Sequence, residues 1–358
     1  MTPNTDSSTP QHEGDTRKLK AVRILRRGTS TTRSRQASRL AERVGGMWTV
    51  GVLILLILIF GFVAPEFYSQ ANWLATSEYA VEFMLLALAE TFVIITGGID
   101  LSVGAMLGLS SMSSAVLMSD LMGSGNGSIP IVIGGIVLAL IVGAAVGLLN
   151  GLLITKLRVA PFIVTLGTLG MATGATYLLN NGEEVATVPS QVADIGNTVI
   201  GGWVAVPVLI TAVLCLACWL VLSRTRFGLR TYAIGSNPVA AQRAGINVNR
   251  HLVVVYVIAG FLSGVAGLMV MSRFASASPL AGANDNLSAI AAVVIGGASL
   301  FGGRGTVLGS IVGTFVISIL VTGLILAHVQ TFWQQVAVGA ILIAAVTADQ
   351  IRMRLQQR

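Results

Sequence analysis

Three acids stand where hydrocarbon would surround them: Glu82, Glu90 and Asp100 interrupt an apolar stretch between Ala80 and Gly104. Ionisable groups inside a membrane are costly and by default belong to a solute or proton path. Glu82 falls near the end of its apolar segment, where water can solvate it. Glu90 sits midway along and is the deepest acid of the chain. It admits two readings, a polar site beside a solute path or an uncharged, hydrogen-bonded packing residue. Asp100 stands at a helix junction, where capping the next helix is favoured over gating. Thr96, Ser102 and Asn150 join Glu90 and Asp100 as candidates for the translocation path.

Other chemistry is weakly supported. Cys215 and Cys218 form a C-x-x-C inside an apolar run. One pair without further Cys or His cannot close a tetrahedral metal site. Both read as small buried hydrophobes, and no metal site is expected. His12, His251 and His328 are scattered, and no G-x-x-x-x-G-K-[ST] occurs. The chain therefore has no P-loop to hold a nucleotide.

The elements that position these residues follow from composition. Of 358 residues, 54% are hydrophobic and 10% charged, and the mean hydropathy is +0.82. Soluble domains carry about 25% charged residues, so neither a soluble enzyme nor a disordered chain fits. The fold class is an all-α integral membrane protein. Apolar segments at 47–64, 80–98, 101–122, 129–153, 159–179, 204–222, 251–271, 287–300, 306–328 and 331–348 predict about ten transmembrane helices, of which 287–300 is short for the roughly 20 residues a span needs.

A net charge of +7 would suggest nucleic acid in a soluble protein, but here it encodes topology. With the N-terminus in the cytoplasm, the inside segments 1–46, 154–158, 223–250, 301–305 and 349–358 hold 21 of the 22 Lys/Arg, leaving only Arg273 outside. Both termini are expected in the cytoplasm, with no nucleic acid among the partners. Three regions result: a disordered basic tail over 1–46 suited to anionic lipid, a membrane domain over 47–350, and a short cytoplasmic tail over 351–358.

Glycine marks the junctions. Gly97-Gly98-Ile99-Asp100-Leu101-Ser102-Val103-Gly104 and Gly296-Gly297-Ala298-Ser299-Leu300-Phe301-Gly302-Gly303 each end one span and open the next, and each continues into Leu-Gly. Gly305 follows the second. The pairing of Gly97 with Gly296 suggests a duplicated half, since transporters are often built from repeats. In the fourth span Gly135, Ala139, Gly143, Gly147 and Gly151 recur every fourth residue, a face for close helix packing.

The 223–250 connection is the longest on the cytoplasmic side. Within Gly235-Ser236-Asn237-Pro238-Val239-Ala240-Ala241-Gln242-Arg243-Ala244-Gly245-Ile246, Asn237 is an N-cap and Pro238 a first helical residue. Gly245 ends the helix in the left-handed region, with Ile246 folding back on Ala241. Ala240, Ala241 and Ala244 give this short helix a smooth face, expected to dock another subunit.

The stretch Thr91 to Gly104, the Gly235 to Ile246 segment and Gly296 to Gly313 together resemble the ribose/xylose-type permeases of ABC transporters, over about residues 47–350. The resemblance implies a multi-pass subunit of the bacterial inner membrane that imports a monosaccharide, with ribose or another pentose first. It further implies a second permease copy or close homologue, a cytoplasmic ABC ATPase, and a periplasmic or lipid-anchored sugar-binding protein. By similarity, Ser236 to Ile246 is the coupling helix. No cofactor belongs to this chain; ATP and Mg would sit on the ATPase. Two rivals stand beside this reading: a proton-coupled secondary transporter, and a permease of the branched-chain amino acid type. The Gly-Gly-Ile-Asp-Leu-Ser wording argues for sugar.

Overall fold

The computed structural model describes residues 49–122 and 129–357. The basic tail expected over 1–46 and the last residue of the C-terminal tail lie outside them. Each of the ten apolar segments meets a helix. These are α1 (Thr49–Val63), α2 (Gln70–Ile95), α3 (Val103–Met122), α4 (Ile129–Lys156), α5 (Pro161–Leu179), α7 (Val206–Arg224), α10 (Val248–Phe274), α11 (Asp285–Ile295), α12 (Val307–Leu326) and α13 (Thr331–Gln357). Six of them, α3, α4, α5, α7, α10 and α12, are long and apolar enough to cross a membrane, while α1, α11 and the Thr331–Ala344 part of α13 are shorter apolar helices. The architecture is that of an all-α membrane protein.

Two expected boundaries shift for physical reasons. The 287–300 segment ends as helix at Ile295, because Gly296 caps α11 and Gly297 takes φ +92°. Eleven residues at 1.5 Å each give about 16 Å, half of a hydrocarbon core. The last helix also runs past the expected end at 348, since α13 continues through Gln357 into the segment read as the C-terminal tail.

Helix α2 is the centre of the bundle. From Ala80 to Ile95 every residue except Glu82 is buried, so it is apolar all round because other helices surround it. It packs on α10, α12, α11 and α7. Thr76 Oγ1 donates to Thr322 Oγ1 at 3.0 Å, and Thr91 and Ser310 share a hydrogen bond of 2.6 Å, both tying α2 to α12.

The glycine stripe of α4 meets α10 and α3. A Cβ on Gly143 would overlap the backbone of Gly260 and Gly264, and one on Gly147 the backbone of Tyr256 and Gly260. Side-chain-free faces let α4 and α10 approach backbone to backbone, as helices in lipid require. Gly135 lies instead against the Met118 side chain of α3.

The segment between α5 and α7 holds α6 (Ser190–Asn197) and a hairpin of β1 (Val199–Ile200) and β2 (Val204–Ala205). The strands pair Ile200 with Val204 across a three-residue loop, in which Gly201 and Gly202 have φ +62° and +76°, left-handed backbone that glycine adopts without penalty. Arg273, the one basic residue expected outside, pairs with Glu78 of α2 at 3.5 Å. Cys215 and Cys218 are free thiols, buried on α7.

Candidate functional site

Two sites emerge, a buried polar cluster at the α2–α3 junction and an element formed by two short helices, α8 (Arg226–Ser236) and α9 (Pro238–Arg243).

The cluster begins with a turn. Asp100 Oδ1 accepts the backbone N–H of Ser102 at 2.9 Å and the Ser102 hydroxyl. Asn150 Nδ2 of α4 donates to the same Ser102 Oγ at 2.9 Å. Asp100 thus shapes the turn before α3 rather than capping that helix. The carbonyl that accepts the first helical N–H, from Met106 at 2.8 Å, belongs to Ser102, two residues further on. Glu90, Asp100, Ser102 and Asn150 are each 0% exposed, so in this conformation they line no open path.

What sets the cluster apart is its unfilled hydrogen-bonding capacity. Both Glu90 carboxyl oxygens, Asp100 Oδ2, Asn150 Oδ1 and the Tyr256 hydroxyl are buried without a hydrogen-bond partner. Each such group costs about 1–3 kcal/mol relative to a satisfied one, more when charged. Natural interiors retain few of these, and those kept tend to serve function. Tyr256 escaped the sequence reading, because a lone tyrosine in an apolar helix has no distinguishing spacing. The only hint is small residues opposite it: a Cβ on Gly98 would lie 2.7 Å from the Tyr256 hydroxyl. Thr96 stands apart, its hydroxyl donating to Val93 O of its own helix at 2.7 Å.

The junction glycines divide by role. Helix α2 closes with Gly97 N–H donating to Ile94 O at 2.9 Å and Gly98 N–H to Val93 O at 3.1 Å. Helix α11 closes identically, with Gly297 N–H on Val294 O at 2.9 Å and Ala298 N–H on Val293 O at 3.1 Å. Gly97 and Gly297 carry the left-handed turn, at φ +84° and +92°. The two closures therefore superpose Gly97 on Gly297, one residue from the Gly97–Gly296 pairing that the sequence suggests. Gly296 serves helix packing, since a Cβ there would strike the Gly309 carbonyl. Gly104 lets the start of α3 pass the Gly282 backbone. Gly302, Gly303 and Gly305 all have positive φ in the second junction.

At the other site the local sequence dictates the caps. Asn237 Oδ1 accepts the Ala240 N–H at 2.9 Å, and Pro238 opens α9. Ile246 N–H donates to Ala241 O at 3.1 Å and Gly245 N–H to Gln242 O at 3.0 Å, with Gly245 at φ +83°. This is the paired closure known as the Schellman motif. The orientation differs from expectation in one respect. Ala241 is only 5% exposed and faces the protein, while Val239 is 57% exposed. Pro238, Ala240, Gln242, Arg243, Ala244 and Gly245 also face outward. Ala241 is therefore not part of the smooth outer face. Ser236 and Gly235 end α8, a helix absent from the sequence reading; Ser236 Oγ donates to Tyr232 O at 2.8 Å.

Comparison with known proteins places these features. The family described as branched-chain amino acid transport system, permease component, matches residues 72–346. The chain is similar to the ribose import permease of Haemophilus influenzae, 37% identical over 300 residues that cover 83% of this chain and 90% of that one. It is 40% identical to the ribose import permease of Bacillus subtilis over 305 residues, 83% of this chain and 90% of that one. The D-allose transport system permease of Escherichia coli is 35% identical over 305 residues, 85% of this chain and 91% of that one. No solved structure matches. Because the matched segment runs unbroken from the start of α2 into α13, the chain belongs to this family of transport-system permease components.

Proposed function

We propose that this chain is the permease subunit of an ATP-driven importer of a monosaccharide, ribose or another pentose first, in the bacterial inner membrane. Its termini lie in the cytoplasm, and it works with a second permease copy, a cytoplasmic ATPase that binds ATP and Mg, and a periplasmic or lipid-anchored sugar-binding protein. The observation that carries the proposal is the identity to ribose and allose permeases over more than four-fifths of the chain. The α8–α9 element supports it: a capped, outward-facing helix of six residues is too short to persist alone and suits docking. With no P-loop in the sequence, hydrolysis falls to the partner.

Proteoliposomes holding the permease alone should take up no labelled pentose when ATP is supplied. Adding the cognate ATPase and binding protein should start ATP-dependent uptake. Accumulation driven by a proton gradient with the single chain would instead establish the secondary-transporter reading.

One observation favours that second reading, the unpartnered Glu90 carboxyl. Glu90→Gln keeps the size and hydrogen-bonding capacity but removes the ionisable group. If Glu90 borders the solute path, uptake by the assembled complex should fall about tenfold, the equivalent of 1.4 kcal/mol, with ATPase assembly intact. Wild-type maximal rate and half-saturation in Glu90→Gln would remove Glu90 from the path.

A further inference from the structure

We propose that α8, not the short helix α9 alone, is the lever of this permease, and that Tyr232 is the positioning residue that fixes it to the second glycine junction. The inference rests on the importer reading above and names the route by which docking at α9 enters the membrane.

Helix α8 is held from three sides. Towards α2, the Phe227 ring lies 6.4 Å from that of Phe92, and Gly235 meets the Ile95 carbonyl so closely that no Cβ fits. Towards α10, Thr231 Oγ1 and His251 Nε2 share a hydrogen bond of 2.9 Å, and Phe227 packs on the His251 ring at 4.3 Å. Towards the second junction, the Tyr232 hydroxyl donates to Gly305 O at 2.8 Å.

The two junctions are also joined to each other. Gly303 N–H donates to Ile95 O, the last carbonyl of α2, at 2.8 Å. A Cβ on Gly302 would lie 3.0 Å from both the N and Cα atoms of Gly97 and 2.9 Å from Gly235 O. Three segments thus meet backbone to backbone at one point: the end of α2, the loop after α11, and the end of α8. Positive φ at Gly302 and Gly303 makes that approach available only to glycine.

A single residue, Asn237, separates α8 from α9, and Pro238 stiffens the link by fixing its own φ. A displacement of α9 cannot be absorbed by slack chain. It moves α8, and α8 moves both junctions as one body. Glu90 lies five residues above Ile95, about 7.5 Å along the helix, so the lever acts on the helix that carries the buried acid cluster.

The test uses the full complex of permease, ATPase and binding protein in proteoliposomes. Tyr232→Phe deletes only the hydroxyl. Sugar imported per ATP hydrolysed should fall about fivefold, the effect of one net hydrogen bond, while co-purified ATPase and its hydrolysis rate hold. A parallel fall of uptake and hydrolysis, leaving the ratio unchanged, would overturn the proposal. Hydrogen exchange on the same complex without cargo provides a second readout. In Tyr232→Phe, segments 96–102 and 298–305 should gain exchange together; loosening of 298–305 alone would also overturn it. If wild type fails to couple uptake to ATP, the importer reading falls, while the exchange result still decides the lever.

Discussion

Gly260→Leu should leave almost no folded permease in the membrane. A Cβ at Gly260 would occupy the space of the Gly143 carbonyl and lie 3.1 Å from the Gly147 Cα. Backbone cannot turn aside as a side chain can, so α4 and α10 would have to separate where they cross. Ordinary overpacking costs about 1–3 kcal/mol. Separating two long helices forfeits packing along both, and no hydrophobic gain recovers it in lipid, where apolar surface is equally content against acyl chains. A loss above 4–5 kcal/mol belongs to this class of mechanism, and that approaches the whole stability of many domains. Two further glycines calibrate the claim. Gly134→Ala faces open space and should be neutral in membrane yield and detergent melting temperature. Gly135→Ala meets the Met118 side chain from Cγ to Cε rather than backbone and should cost less than Gly260→Leu. If Gly260→Leu accumulates like Gly134→Ala, the α4–α10 crossing is not what holds the bundle.

The packing face of α4 is legible in the sequence, because four-residue spacing of small residues marks a helix face open to a neighbour's backbone, but that α10 is the neighbour is seen only in the structure. The apolar segments were legible for the same reason, since length and hydropathy are local properties. The misses are tertiary. Helix α8 reads as an ordinary polar loop because its amphipathic side is short, and its partners Phe92, His251 and Gly305 lie far away in sequence. The junction register slipped by one because glycine identity was matched, whereas the structure matches glycine conformation: Gly97 and Gly297 turn left-handed, while Gly296 is a packing glycine. In the cluster, Asp100, Ser102 and Asn150 were each visible as polar residues among apolar ones. Their assembly into one chain of hydrogen bonds depends on α4 crossing the junction, and spacing alone does not encode that.

The same distinction between composition and orientation reassigns the docking face. A run of alanines marks a smooth surface without saying which of them points outward, and in the structure Ala240 and Ala244 are exposed while Ala241 is buried. Val239 is then the large apolar side chain that α9 presents, at 57% exposure, beside Gln242 and Arg243. If the ATPase seats on this face, Val239→Glu must bury an uncompensated carboxylate in the interface. That penalty is several kcal/mol, and each 1.4 kcal/mol is a factor of ten in affinity. Co-purification of the ATPase should therefore drop by about a hundredfold or more and ATP-driven uptake should vanish, with the melting temperature of the isolated permease little changed because the Val239 side chain is largely exposed. Ala241→Glu should show the opposite pattern. Its carboxylate would be forced against the body of the protein, lowering the melting temperature first and losing the ATPase only as a consequence. Gln242→Glu, already exposed, should fall between wild type and Val239→Glu in binding and match wild type in stability. Normal ATPase recovery and uptake in Val239→Glu would mean that the partner seats elsewhere, and the coupling role of residues 236–246 would have to be withdrawn.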